Sequence, residues 1–278
     1  AQIKELDDPF WYPATKQAYR TAKILNFDIT VFAPKGRGEA GTLEMVHFLK
    51  KVLEERYDGI CISPIADLRV EKLLQKMAEK GVEVIFILSA FDSVPYRTLI
   101  GTDSYQCGRS TGEAVREALG ADGAVGIIKW KDNLIETVED RYHGVVDVLK
   151  ENRIPYYDMT GPGEPTAEEA TKLTDRLLTE HPDISVLCAT NVGWGLAFAR
   201  YLKSKGKKVK LVTVDFTDEV GEFMKAGYVD AAIAQRPESW GSMTLEKIEA
   251  VFEGQSIPKT IDTGTYPVTP ANIRIYVK

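Results

Sequence analysis

The chain has 278 residues, of which 44% are hydrophobic and 27% charged, and its formal net charge is −6. This length exceeds one compact domain of ordinary size, so we expect one large or two medium domains. The negative charge, without any run of Lys or Arg, disfavours a nucleic-acid partner. No stretch approaches the roughly 20 apolar residues of a membrane span. Ala1 opens almost directly onto a short predicted strand around Ile3, an arrangement compatible with removal of a leader.

Short apolar runs alternate with longer amphipathic ones along the chain. The apolar runs predict strands at 28–33, 59–63, 83–88, 97–100, 123–129, 185–190, 209–215 and 229–234. The amphipathic stretches predict helices near 11–25, 42–56, 66–80, 104–119, 134–151, 166–180, 192–205, 217–226 and 238–253. Such alternation is typical of α/β proteins, in which helices cover both faces of parallel sheets.

The alternation has a break at residues 100–103, which read IGTD. Roughly four strand–helix units precede the break and about four follow it. Two doubly wound lobes of ordinary domain size therefore fit the chain better than a single large sheet.

Two motifs resemble catalytic sequences but lie in the wrong context. GRGEAG at 36–41 matches a dinucleotide-binding pattern, but it follows the second predicted strand, so we interpret it as a loop. GRSTG at 108–112 matches the nucleophile elbow, which requires a strand ending at the serine. Ser110 instead falls in a predicted helix, where Gly108 and Gly112 lie one turn apart and permit close packing. We expect no enzymatic activity and no cofactor.

The cysteines and histidines give no metal-ligand spacing. Cys61, Cys107 and Cys188 are far apart and form no C-x-x-C pair, while Cys61 and Cys188 lie in apolar runs. Buried free thiols are therefore expected, rather than a disulfide or a metal site.

Polar residues recur where predicted strands end. Residues 6–11, LDDPFW, have an Asp and Pro pattern that fits a helix start, but their carboxylates and rings could equally face a ligand. Taken one at a time, the other polar residues are also explained as N-caps of the helices that follow them. Jointly, carboxylates, amides and flat aromatics at one sheet edge suit a neutral, hydroxyl-rich ligand. The polar set is Asp7, Asp8, Ser63, Ser89, Asn191, Asp215 and Gln235, and the aromatic set is Phe10, Trp11, Phe91, Trp130 and Trp194.

The order of LDDPFW, GICISPIAD, IGTDSYQCGRSTGE, DRYHGV, ATNVGWGLA, LVTVDFTDE and AAIAQRPESWG resembles type I periplasmic solute-binding proteins of the ribose-binding class. The sugar-sensing domains of LacI-type repressors share that fold. The resemblance covers nearly the whole chain. It implies two Rossmann-like lobes joined by a three-strand hinge, with the ligand captured as the hinge closes. The lobes would comprise 1–102 plus 236–264, and 103–235 plus 265–278.

The resemblance also implies which residues contact the ligand. Asn191, Asp215 and Gln235 match the ribose-binding pattern in type, whereas Leu88-Ser89 replaces an Asp-Arg pair, unless a shifted alignment brings in Asp92. Glu139 replaces a sugar-contacting arginine, and Arg141 matches a neighbouring arginine that we interpret as mainly structural. The implied ligand-binding set is Asp8, Phe10, Trp11, Ser89, Asp92, Glu139, Arg141, Asn191, Trp194, Asp215 and Gln235.

These departures suggest a monosaccharide or related polyol other than ribose, with an amino sugar as the outside alternative, because Glu139 adds an acceptor and Leu88 adds apolar surface. Lys129, Lys131 and Arg236 are the cations expected to balance the carboxylates, and phosphorylated sugars or free carboxylates should be repelled. By resemblance the protein is periplasmic or extracellular, associated with the membrane, and delivers sugar to the permease of an ABC transporter. A sugar-sensing domain that acts with a histidine kinase or in a LacI-type regulator remains the alternative.

If the implied hinge closes on the ligand, the bound protein should be more compact than the free protein, because ligand stabilises the closed state. Small-angle scattering should then give a smaller radius of gyration at saturating sugar. An unchanged radius would contradict hinge closure without contradicting the fold.

Overall fold

The computed structural model describes residues 10–36, 38–120, 122–131, 136–163 and 165–276. The expected strand around Ile3 and the residues Asp7 and Asp8 lie outside the described residues. The chain divides into two compact units, one formed by 1–102 with 236–263 and the other by 103–235 with 264–278. No helix in the described ranges is both long and apolar enough to cross a membrane.

Helices and strands alternate along most of the chain. In chain order the elements are α1 (Tyr12–Leu25), α2 (Glu39–Glu55), β1 (Gly59–Ile62), α3 (Leu68–Glu79), β2 (Glu83–Ile87), β3 (Thr98–Gly101), α4 (Ser104–Leu119), β4 (Ala124–Trp130), α5 (Glu136–Glu151), β5 (Tyr156–Gly161), α6 (Ala167–Glu180), β6 (Ile184–Ala189), α7 (Val192–Lys205), β7 (Lys210–Val214), α8 (Asp218–Lys225), β8 (Ala231–Ala234), α9 (Pro237–Phe252), β9 (Thr260–Asp262) and β10 (Tyr266–Val268). The predicted α/β class with two parallel-sheet lobes is confirmed, and each predicted helix is present.

The sheet of the first unit has the order β1-β2-β3-β9, and all its described pairings are parallel. Helices α2 and α3 cover it with a core that includes Met45, Leu49, Leu74 and Met77, each at most 1% exposed. Since all four strands run the same way, their carboxyl ends lie at one edge of the sheet.

The predicted strand at 28–33 is not formed within the described part of the first unit. This segment has no adjacent strand among the described residues to supply ladder hydrogen bonds.

The sheet of the second unit has the order β10-β8-β7-β6-β4-β5. Only β10 runs antiparallel to its neighbour among the described strands of this sheet. The apolar runs did not predict β5, β9 or β10. Strand β5 is an edge strand with alternating exposure, and the other two have only three residues each. Such strands carry too few buried residues to give an apolar run.

Helices α4 and α5 pack unusually closely in the second unit. A Cβ atom on Gly108 would lie 2.2 Å from the Arg141 carbonyl oxygen, and one on Gly144 would lie 2.3 Å from that of Tyr105. The predicted helix over GRSTG is confirmed, and Ser110 is exposed on it rather than held on a strand-to-helix turn. The glycines of this motif therefore serve helix packing.

We expect Gly108→Ala to destabilise the protein by about 2 kcal/mol or more, because the added methyl group meets backbone that cannot move independently. Gly193→Ala in α7 is the matched control. Its methyl group would be 3.5 Å from Asn191 Oδ1, an ordinary contact, and Ala favours helix over Gly by up to about 1 kcal/mol. Urea unfolding of both variants checks this, and a Gly108→Ala protein as stable as the control would contradict it.

Candidate functional site

Buried polar side chains collect at the carboxyl edge of the second unit's sheet. Asp215 follows β7 and Gln235 follows β8, and these adjacent parallel strands place the two residues side by side. Gln235 Nε2 donates a hydrogen bond of 2.7 Å to Asp215 Oδ1. Asp215 is 6% exposed and Gln235 is 3% exposed. A carboxylate this deeply buried requires partners, and Gln235 is one of them.

Arg141 of α5 adds a buried cation to the same region. It is 5% exposed, and its Nη1 donates to the Thr190 carbonyl oxygen at 3.4 Å. Thr190 directly precedes Asn191 at the end of β6. Although the sequence led us to interpret Arg141 as mainly structural, its guanidinium reaches the backbone at a strand end, where the other polar side chains stand.

Two buried polar atoms of this group have no hydrogen-bond partner among the described residues, namely Arg141 Nε and Gln235 Oε1. A buried polar atom without a partner typically costs about 1–3 kcal/mol. Arg141 Nε is a hydrogen-bond donor, and Gln235 Oε1 is an acceptor. A hydroxyl group, which both donates and accepts, has the chemistry to satisfy such a pair.

Cys107 of α4 lies near Arg141 and Asp215, and the charges of these two residues affect the pKa of its thiol. It is 1% exposed and clusters with Val214 and Ile233, the residues of β7 and β8 next to the strand ends. Burial raises the pKa of its thiol to about 11, while the nearby Arg141 charge lowers that pKa and the nearby Asp215 charge raises it. The thiol stays protonated at neutral pH and packs as an apolar group, as expected for a buried cysteine.

Asn191 caps a helix. Its Oδ1 accepts a hydrogen bond of 2.8 Å from the backbone N–H of Trp194 and so begins α7. Asn191 remains half-buried at the end of β6. A capping oxygen still leaves the amide NH₂ of the same side chain as a donor, so the cap and a ligand contact are compatible.

Trp194 lies in the core of the second unit, and the ligand-contacting role implied for it stays a prediction. It is 1% exposed, its Nε1 donates to the Pro162 carbonyl oxygen at 2.9 Å, and its ring lies 5.5 Å from that of Phe198. Trp194, Phe198 and Leu202 repeat at the four-residue spacing of a buried helix face. That spacing could have identified the ring as a core residue from the sequence.

Glu139 forms an ion pair with Lys129 and lies next to His143. Its Oε1 lies 3.2 Å from Lys129 Nζ and 3.4 Å from His143 Nε2, and the carboxylate is half-buried. Lys129 also lies 5.0 Å above the ring of Tyr142. Of the cations expected to balance the carboxylates, Lys129 therefore serves Glu139.

Trp130, the last residue of β4, offers a further donor. Its Nε1 is buried without a hydrogen-bond partner in the described part of the chain, and its ring packs so closely that a Cβ on Gly163 would lie 2.8 Å away. The sequence placed Trp130 near a strand end but gave no indication of its unpartnered N–H.

The aromatic residues at the start of the first unit form a cluster with Trp240 of α9. The rings of Phe10 and Trp11 are 5.4 Å apart, and they lie 5.7 Å and 5.4 Å from that of Trp240. Trp11 directly precedes α1, whose first turn contains Pro13, so the helix predicted near 11–25 is present, while the Asp and Pro residues of LDDPFW lie outside the described residues. Both residues are half-buried. Whether they also face a ligand stays a prediction, as does the role of Asp8, which lies outside the described residues.

Leu88 and Ser89 stand where β2 ends, and both are half-buried. Asp92 is exposed and lies four residues beyond Leu88. The structure therefore keeps the leucine and the serine at the strand end, and it does not bring Asp92 there.

The described residues contain no group of His, Cys, Asp and Glu arranged to hold a metal ion. Cys61, Cys107 and Cys188 are free thiols, as predicted.

Several sugar-binding proteins are similar to this chain. It is 20% identical over 266 residues to the ribose import binding protein of Bacillus subtilis, covering 93% of this chain and 83% of that one. A solute-binding protein of Burkholderia graminis in complex with D-arabinose has a TM-score of 0.86 at 23% identity, covering 98% and 95% of the two chains. One from Actinobacillus succinogenes with bound D-allose has a TM-score of 0.87 at 20% identity, covering 99% and 98%.

At these identities the solved structures establish the fold, which is that of the type I binding proteins predicted from the order of the motifs. Residues 3–256 match the family described as periplasmic binding protein domain. Since this match spans most of the sequence, the chain belongs to the periplasmic binding protein domain family.

Proposed function

We propose that this protein binds a monosaccharide or a related polyol and delivers it to an ABC-type importer from the periplasm or the extracellular face of the membrane. The observation that carries the proposal is the buried group of Arg141, Asp215 and Gln235, with a donor and an acceptor left unpartnered in the described structure. The relatives support it, since their names and titles describe ribose import and bound D-arabinose and D-allose.

The chemistry of the group favours a polyhydroxylated ligand over an apolar one. Asp215 can accept from hydroxyl groups, Arg141 can donate to them, and Gln235 can do both. An apolar ligand would cover these atoms without satisfying them, and each such atom would then cost about 1–3 kcal/mol. A sugar hydroxyl group can form the hydrogen bonds that these atoms would otherwise form with water.

The group also fits binding rather than chemical conversion. Gln235 holds the Asp215 carboxylate through a direct hydrogen bond, and the Cys107 thiol beneath it is buried and protonated. Neither arrangement supplies an activated nucleophile, which needs a neighbouring base or a lowered pKa. We infer that ligand is captured and released unchanged.

A thermal-shift screen over pentoses, hexoses, polyols and amino sugars tests the proposal directly. A ligand that binds only the folded state raises the melting temperature with its concentration. We expect at least one neutral monosaccharide to do so, and isothermal titration calorimetry then gives its Kd. A panel in which no sugar or polyol shifts the melting temperature would contradict the proposal.

For the sugar so identified, Asp215→Asn and Gln235→Ala should each weaken binding roughly 5- to 150-fold, because the first replaces an acceptor of ligand hydroxyl groups by a donor and the second removes an amide that can bond to them. Asp218→Asn is the control, since Asp218 is an exposed carboxylate three residues farther along the chain. Calorimetry on the three variants checks this. Binding that is as weak in Asp218→Asn as in Asp215→Asn would indicate a general effect of charge instead.

A further inference from the structure

Two residues share an uncommon backbone conformation at the carboxyl ends of strands. Among the described non-glycine residues, those with positive φ are Asn26, Arg56, Leu88, Arg153 and Asp215. Asn26, Arg56 and Arg153 follow the ends of helices, where this conformation is common. Leu88, with φ +65°, directly follows β2, and Asp215, with φ +70°, directly follows β7.

Leu88 and Asp215 occupy equivalent positions in the two units. The backbone N–H of Leu88 donates to the Ile100 carbonyl oxygen at 3.0 Å, and that of Asp215 donates to the Ile233 carbonyl oxygen at 2.9 Å. Each acceptor is the third residue of the neighbouring parallel strand, β3 in the first unit and β8 in the second. The same backbone hydrogen bond therefore positions a leucine in the first unit and an aspartate in the second.

The equivalence extends to the residue after the neighbouring strand. Gln235 lies two residues beyond Ile233 and donates to Asp215, while Thr102 lies two residues beyond Ile100. Thr102 is 6% exposed, and its Oγ1 has no hydrogen-bond partner among the described residues. The isobutyl side chain of Leu88 cannot accept from this hydroxyl as Asp215 accepts from Gln235.

The conformation of Leu88 is strained. The backbone N–H of Ser89 donates to the Ile87 carbonyl oxygen at 2.8 Å, which closes a three-residue turn around Leu88. Turns of this kind with positive φ at the centre are rare, and a side chain like that of leucine is disfavoured there relative to Asn, Asp or Gly. The neighbouring strand accommodates it with Gly101, on which a Cβ would lie 3.0 Å from Leu88 Cα. Strain of this kind is found mainly at functional sites.

We propose that Leu88 is a specificity-determining residue that selects a deoxy sugar over its fully hydroxylated parent. This inference rests on the proposed function, since it requires that the ligand be a sugar. Leu88 is half-buried and packs at the edge of the first unit's core, with an isobutyl group at the position where the second unit has a carboxylate. A methyl or methylene group of the sugar packs against this surface, whereas a hydroxyl group there loses water and finds no acceptor on the Leu88 side chain.

Calorimetry with matched pairs of sugars tests the inference. The pairs are D-fucose with D-galactose, L-rhamnose with L-mannose, and 2-deoxy-D-ribose with D-ribose. In at least one pair the native protein should bind the deoxy member about fivefold or more tightly than its parent, the lower bound expected for one buried hydroxyl group without a partner. Leu88→Asp should reverse that preference, because it restores an acceptor.

Leu68→Asp is the matched control, since Leu68 is 62% exposed at the start of α3, and it should leave the preference unchanged. Leu88→Asn, uncharged and well suited to positive φ, provides the same comparison if the aspartate variant fails to fold.

Native protein that binds the parent sugars as tightly as the deoxy sugars would overturn the inference while leaving the proposed function standing. The inference would also be overturned if the Leu88 variants bound both sugars of a pair more weakly by the same factor. Native protein that binds no sugar at all would contradict the proposed function itself.

Discussion

The hydrogen bond between Gln235 and Asp215 depends on the parallel pairing of β7 and β8, because this pairing places the ends of the two strands side by side. Parallel strands end at the same edge of a sheet, where side chains leave the core and are free to carry other chemistry. The residues before the strand ends, such as Val214 and Ile233, are buried and apolar. The sheet thus has an apolar core that stabilises the fold and a polar edge whose side chains are free for other chemistry.

This edge is costly for the fold. Arg141, Asp215 and Gln235 are at least 94% buried, and two of their polar atoms lack partners among the described residues. Their burial is possible because the surrounding packing is dense, with Gly108 admitting the backbone of Arg141 to within 2.2 Å of where a Cβ would stand. The two unpartnered atoms raise the free energy of the folded chain, and the packing around them has to offset that cost.

Periodicity and strand-end position predicted much of this molecule. Each predicted helix formed, since amphipathic stretches of a dozen residues or more carry a strong signal, and Asp215 and Gln235 fell where strand ends indicated. Short or half-exposed strands such as β5 and β10 gave no apolar run. The burial of Trp194 was not predicted, because proximity in sequence to a strand end does not determine which way a helical side chain points. The unpartnered atoms of Arg141 and Trp130 depend on tertiary packing, which no local pattern encodes.

Leu88 and Asp215 show that the same backbone arrangement carries different side chains in the two units. Each residue is held by one N–H bond to the next parallel strand, although its positive φ suits aspartate better than leucine. A carboxylate at this position suits hydroxyl donors, and an isobutyl group suits C–H surface. The backbone hydrogen bonds at these two positions are the same although the side chains differ, whereas at Gly108 the close approach of the Arg141 backbone leaves no room for a side chain.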